Sequence, residues 1–74
     1  MNDMQLREQI RKRLIQCRTE KGCTQKDVGL IVGKSENAVA AWEQGCSLPS
    51  ITTLYRLSIL YGKSLEYFYG EAEK

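Results

Sequence analysis

Apolar residues recur along the first stretch of the chain at a helical spacing. Leu6, Ile10, Leu14 and Cys17 stand 4, 4 and 3 residues apart, on one face of a helix that Gly22 ends. The next segment carries its own start signal. Thr24 can cap a second helix, Asp27 completes a capping box three residues on, Cys23 staples to Val28, and Gly33 closes the element. Ser35 is the next cap, followed by Ala38, Val39, Ala41 and Trp42 and then by Gly45. Beyond the loop Gly45-Cys46-Ser47-Leu48-Pro49, Ser50 caps a fourth helix whose apolar stripe is Ile51, Leu54, Leu57 and Tyr61, stopped by Gly62. Ser64 opens a brief fifth helix with Leu65 and Phe68, and Gly70 and a charged tail over 70–74 follow. No run alternates with the period of two expected of a strand, and no linker or repeat interrupts the pattern. The expected fold is all-α, five short helices in one domain over residues 1–74.

Composition narrows what such a fold can do. Seventy-four residues bury little surface, so the chain needs tight helix packing, oligomerisation or both, and it leaves no room for a large enzyme architecture or a separate effector-binding domain. With no His there is no Ser/His/Asp or Cys/His relay and no imidazole metal ligand. Cys17, Cys23 and Cys46 are odd in number and lack the paired spacing of a zinc or redox motif, so reduced thiols in a cytosolic protein are expected. Cys17 and Cys23 read as small hydrophobes, while Cys46 lies in a loop open to oxidation. The segment Met1 to Glu8 lacks the apolar core of a signal peptide, and no apolar stretch is long enough to span a bilayer. No nucleophile-and-base set, metal cluster or phosphate loop can be assembled. The expectation is a cytoplasmic protein that is not an enzyme, with no cofactor, metal or small-molecule substrate.

Charge changes the picture only through its distribution. The net charge is +2, from 11 basic and 9 acidic residues. Residues 1–37 hold eight basic and five acidic residues, an excess of +3, and the remainder holds three and four, or −1. The basic bias is N-terminal.

Two short amphipathic helices joined by a glycine-containing turn, over residues 24–44, form the outline of a helix-turn-helix. The residues in that outline are more specific. Thr24-Gln25, Val28-Gly29, Val32-Gly33, Ser35, Val39, Trp42-Glu43-x-Gly45, Pro49-Ser50, Leu54 and Leu57 fall at a spacing that resembles the lambda-repressor-like family of Cro/CI and XRE-type regulators. Ile10, Leu14 and Arg18 upstream and Leu65 and Phe68 downstream extend the likeness over nearly the whole chain. The resemblance implies a five-helix fold that binds double-stranded operator DNA, usually as a homodimer, with the third helix in the major groove.

The same resemblance implies roles for individual positions. Arg18 and Glu43 match an ion pair that joins the first helix to the end of the third. Gln25 matches a phosphate contact that also braces the third helix, and Glu36 and Asn37 match positions that reach base edges. Asn can pair with adenine N6 and N7, and Glu can accept from cytosine N4. Ala40 and Ala41 follow on that face, where the family often has longer polar side chains; they can touch a thymine methyl but cannot hydrogen-bond. Gln44 and Ser47 match phosphate-contacting positions, and Lys26 and Lys34 add charge nearby.

Plainer readings stand beside these. Glu36 can simply favour the positive end of the third helix, and Asn37 can be an ordinary exposed polar residue. Lys34 and Lys63 can lay their stems over the core, and Arg11, Lys12 and Arg13 can form a solvated face. Gly29 and Ala38 are small where the two helices approach. Leu30, Ile31, Tyr55, Ile59, Tyr67 and Tyr69 exceed what one small core requires, which suggests a dimer contact on the fourth and fifth helices through Tyr61, Tyr67, Phe68 and Tyr69, or else a larger monomeric core. The leading expectation is a sequence-specific DNA-binding transcriptional regulator, a repressor acting as a homodimer on a two-fold operator. The alternative is a protein-interaction module, antitoxin-like or a partner regulatory subunit, that keeps the fold.

Overall fold

The computed structural model describes residues 2–70, in which five helices follow one another: α1 (Asp3–Lys21), α2 (Gln25–Val32), α3 (Glu36–Gln44), α4 (Ile51–Tyr61) and α5 (Leu65–Tyr69). The tail residues 71–74 lie outside the described part. α1 starts three residues before the apolar stripe. Asn2 accepts from the Gln5 N–H at 2.8 Å and donates its own N–H to Gln5 Oε1 at 3.0 Å, a capping box that holds a polar first turn without apolar burial. Thr24, Ser35, Ser50 and Ser64 cap the other four helices, each accepting from the backbone N–H three residues on.

Ile10, Leu14 and Cys17 of α1 meet Val28 and Val32 of α2, Val39 and Trp42 of α3, Leu54 and Leu57 of α4 and Phe68 of α5 in one buried core. At the α2–α3 turn backbone approaches backbone closely. A Cβ on Gly29 would stand 2.6 Å from the Lys34 carbonyl oxygen, so it is the backbone of the turn, rather than Ala38, that presses on this position. Gly33 supplies the left-handed residue, φ +75°, that lets α2 stop there.

The buried face of α4 differs from the expected stripe. Thr53, Leu54, Leu57 and Ser58 are buried, whereas Ile51 is 64% exposed. Steps of three residues each rotate the face by about 60° against a helix turn, so a 51–54–57 series drifts around the helix instead of holding one side. The two hydroxyls enter the interior because they are satisfied locally: Ser58 Oγ donates to the Tyr55 carbonyl at 2.6 Å, and Thr53 Oγ1 accepts from Ser50 Oγ at 3.0 Å.

α5 is held against α1 by polar contacts that link distant parts of the chain. Gln9 Nε2 donates to the Phe68 carbonyl at 3.0 Å and also to that of Gly70, and Arg13 donates to the Tyr67 carbonyl. The Arg13 guanidinium stands 5.0 Å from the centre of the Tyr67 ring, and Lys63 Nζ stands 4.8 Å from it. The reading of Arg11, Lys12 and Arg13 as a solvated face is therefore corrected. Only Lys12 is exposed; Arg11 and Arg13 are half-buried and bind α3 and α5 respectively.

The aromatic residues of α4 and α5 also divide differently than expected. Phe68 is fully buried in the chain's own core, and Tyr61 and Tyr67 pack half-buried around it with ring centres 6.5 and 5.0 Å away. Phe68 cannot contact a second copy, and of the four residues expected at a dimer interface only Tyr69 is exposed. The other exposed large apolar side chains are Met4 on α1, Leu30 and Ile31 on α2, Leu48 in the loop before α4, and Ile51, Tyr55 and Ile59 on α4. Among the described residues no helix is long and apolar enough to cross a membrane.

Candidate nucleic-acid interface

The outer surface of the α2–α3 corner is organised by one buried carboxylate. Glu43, 5% exposed near the end of α3, accepts from Arg18 Nε at 2.7 Å through one oxygen and from Arg18 Nη2 at 3.0 Å through the other. Arg18 Nη1 also donates to the Cys23 carbonyl at 3.0 Å, so one guanidinium ties α1 to the entry of α2 and to α3. Gln25 Nε2 donates to Glu43 Oε1 at 3.0 Å, which closes the triangle from the first residue of α2. A two-pronged Arg–carboxylate contact fixes orientation as well as distance. The corner cannot open without leaving a buried charge unpaired. Tyr61 stands behind this group, and burial, with the Glu43 charge adding to it, pushes its phenol well above the ordinary value.

With Val39, Trp42 and Glu43 turned inward, the opposite arc of α3 faces out. Glu36, Asn37 and Gln44 are exposed and Ala40 and Ala41 half-buried, and at 100° per residue all five fall within roughly 140° of helix surface. Lys34, in the turn before α3, and Lys26, in the first turn of α2, are both exposed. Ser47 is exposed in the loop after α3.

At the start of α2 the capping box uses two backbone donors. Asp27 N–H donates to Thr24 Oγ1 and Thr24 N–H donates to Asp27 Oδ2, both at 3.0 Å. The Thr24 N–H and then its hydroxyl hold the Asp27 carboxyl below its ordinary value. The N–H groups of Gln25 and Lys26 point off the end of the helix, beyond reach of any intrahelical carbonyl. The Gln25 amide carries two hydrogens, and one of them is committed to Glu43. Its second hydrogen, those two N–H groups and the Lys26 ammonium are what this end offers an anion.

One contributor is invisible in the local pattern. The Arg11 side chain lies under the end of α3, its Cδ 3.4 Å from where a Cβ on Gly45 would stand and its Nη1 3.4 Å from the Glu43 carbonyl oxygen, while Glu8 pairs with its guanidinium at 2.6 Å. No spacing rule links residue 11 to residue 43. The thiols sort by burial: Cys17 is buried, and desolvation raises its pKa, Cys23 is half-buried, and Cys46 is exposed beside Gln44.

Residues 14–68 match the family model described as Helix-turn-helix. The chain is 36% identical over 63 residues, 85% of its own length, to the HTH-type transcriptional regulator PuuR of Escherichia coli strain K12, and equally to the protein of the same name from Shigella flexneri. It spans 34% of the length of those relatives. No solved structure matches significantly. A buried Arg18–Glu43–Gln25 triangle behind an outward-facing α3, together with a family match over most of the chain, places this protein in the XRE/Cro-CI-type helix-turn-helix family.

Proposed function

We propose that this chain binds double-stranded DNA sequence-specifically and regulates transcription, acting as a cytoplasmic repressor that occludes a promoter as a homodimer on a two-fold operator. The observation that carries the reading is the outward arc of α3, locked in orientation by the Glu43 triangle. The relatives' printed name, HTH-type transcriptional regulator, supports the same class.

In this reading α3 enters the major groove. Asn37 pairs with an adenine edge, Glu36 accepts from a cytosine amine, and Ala40 and Ala41 touch thymine methyls. Gln25, Lys26, Lys34, Gln44 and Ser47 hold the phosphates on either side and set register without reading sequence. Two alanines and an acid leave few direct hydrogen-bonding groups, so DNA shape carries part of the specificity. One α3 reads only a few base pairs, and a two-fold pair doubles the site. Selection from a random duplex pool tests this: a motif with two-fold symmetry is expected, and no enrichment at low salt would overturn it. The exposed Leu30 and Ile31 of α2 favour the second reading, an interaction module in which the corner binds another polypeptide. Under that reading DNA affinity would be weak and sequence-independent.

A further inference from the structure

Arg11 and Arg18 both lie on α1, and a separation of two helical turns puts them within about 20° of the same face. Both reach one residue of α3. Arg18 holds the Glu43 side chain, through Nε at 2.7 Å and Nη2 at 3.0 Å. Arg11 faces the Glu43 main chain, its Nη1 3.4 Å from the carbonyl oxygen. The first grip connects inward to Gln25 and the start of α2. The second lies at the exit of α3, where the loop to α4 begins.

That exit is short of donors. The Cys46 N–H donates to the Ala41 carbonyl at 2.9 Å and the Gly45 N–H to that of Trp42 at 3.3 Å, which closes the last turn. No backbone N–H among the described residues donates to the Glu43 carbonyl, and the aligned carbonyls make this end of the helix negative. A guanidinium answers both needs. Glu8, one turn earlier on α1, accepts from Arg11 Nε at 3.1 Å and from Nη2 at 2.6 Å, which leaves Nη1 turned to α3. Arg11 Cδ lies 3.4 Å from where a Cβ on Gly45 would stand, so the stem covers the left-handed residue, φ +79°, at which the chain leaves α3. Lys12, its neighbour, carries the same charge into solvent, its side chain 68% exposed and 3.6 Å from Glu8.

On the DNA-binding reading above, we propose that Arg11 is a positioning residue. It holds the last turn of α3 and the start of the following loop, and through them it sets Gln44 and Ser47 against the phosphates without touching a phosphate itself. Arg18 fixes α3 on its inner side, and Arg11 supplies the second fixed point, at the pivot where the loop would otherwise swing.

Arg11→Met and Lys12→Met remove the same charge from the same helix, and their comparison is the test. Without DNA, amide hydrogen exchange at Gly45 and Cys46 is expected to speed up about 5-fold in Arg11→Met and to keep the parent rate in Lys12→Met. The Gly33 and Lys34 amides, before α3, keep theirs in both. With a duplex selected by the parent, Arg11→Met is expected to bind about 5-fold more weakly, alike for all sequences and with the parent's salt slope, and Lys12→Met less than about 2-fold more weakly. Adding Ser47→Ala or Gln44→Ala to Arg11→Met is expected to cost less than the product of the separate losses, because the contact is already misplaced.

A salt slope lower by about 1 would make Arg11 a phosphate contact, and multiplicative losses would make it independent of Gln44 and Ser47. Exchange accelerated equally at Lys34 and Cys46 would mean a general loss of stability, and unchanged exchange would leave nothing for Arg11 to hold. Each of these overturns the proposal. Parent-like binding by Arg11→Met also overturns it and leaves the DNA-binding reading standing. A parent that binds no duplex at low salt removes that reading and the phosphate step with it, whereas exchange alone still reads Arg11's hold on the loop.

Discussion

The α2–α3 corner and the outer face of α4 solve opposite problems with similar lengths of helix. At the corner a buried charge is matched donor for donor: Glu43 takes two nitrogens of Arg18 and one of Gln25, and no buried side-chain polar atom among the described residues lacks a partner. On α4 Thr53 and Ser58 are buried beside Leu54 and Leu57, while Ile51, Tyr55 and Ile59 stand in solvent. The corner's buried polar groups are satisfied within the chain, whereas the outer face of α4, like Leu30 and Ile31 on α2, leaves large apolar side chains in solvent. A surface meant to present side chains to a rigid ligand gains from being held still.

The largest effect that would break this contrast lies in the core that both regions share. Phe68→Ala should cost about 3–5 kcal/mol and leave the domain close to unfolded, whereas Tyr69→Ala on the same helix should stay within ~0.5 kcal/mol. Denaturant melts of the two variants read it directly. Equal costs would mean that α5 does not face inward as described.

Next comes the corner itself. Arg18→Met leaves the Glu43 carboxylate buried with Gln25 as its remaining donor and should destabilise by about 3 kcal/mol, on the order of 10–20 °C in melting temperature. The double change Arg18→Met with Glu43→Leu should recover much of that loss, because the penalty belongs to the stranded charge rather than to the missing contact. A double variant as unstable as the sum of the single ones would show that packing, not charge pairing, holds the corner.

A smaller effect tests the start of α3. Ser35→Ala removes the acceptor for the Ala38 N–H, 3.0 Å away, and should cost about 1 kcal/mol by thermal melting. The smallest is a pH effect at the start of α2. The folded pKa of Asp27 is depressed below its ordinary 3.8, so its contribution is present in full above that value and is lost as the pH falls through the folded pKa. Asp27→Asn should therefore be less stable than the parent near neutral pH, and the difference should vanish well below pH 3.8. A gap that persists in acid would assign the effect to something other than the charge.

The corner was readable in the sequence because its determinants are local. Thr24 with Asp27, Ser35, and the glycines at 33 and 45 mark where α2 and α3 begin and end, and each acts within four residues. The Asn2–Gln5 box obeys the same rule, but it precedes a polar turn, and a reading keyed to apolar periodicity starts too late. The interior of α4 was not legible, because a buried Thr or Ser gives no apolar signal when its hydroxyl is satisfied locally. Arg13 on Tyr67 and Arg11 on the end of α3 escape the pattern for another reason. They join residues more than thirty positions apart, and only the packed fold brings them together. The aromatics of α5 read as surplus for the same cause, since nothing local distinguishes Phe68, fully buried, from Tyr69, exposed.

The central claim is that the outer arc of α3 reads base edges. Repeating the duplex selection with Asn37→Ala tests it most directly, with Gln25→Ala run beside it. The account predicts that Asn37→Ala loses preference at one position in each half-site, by about 1–3 kcal/mol, while the remaining positions keep theirs, and that Gln25→Ala weakens all sequences alike. An Asn37→Ala motif identical to the parent's at every position would contradict it.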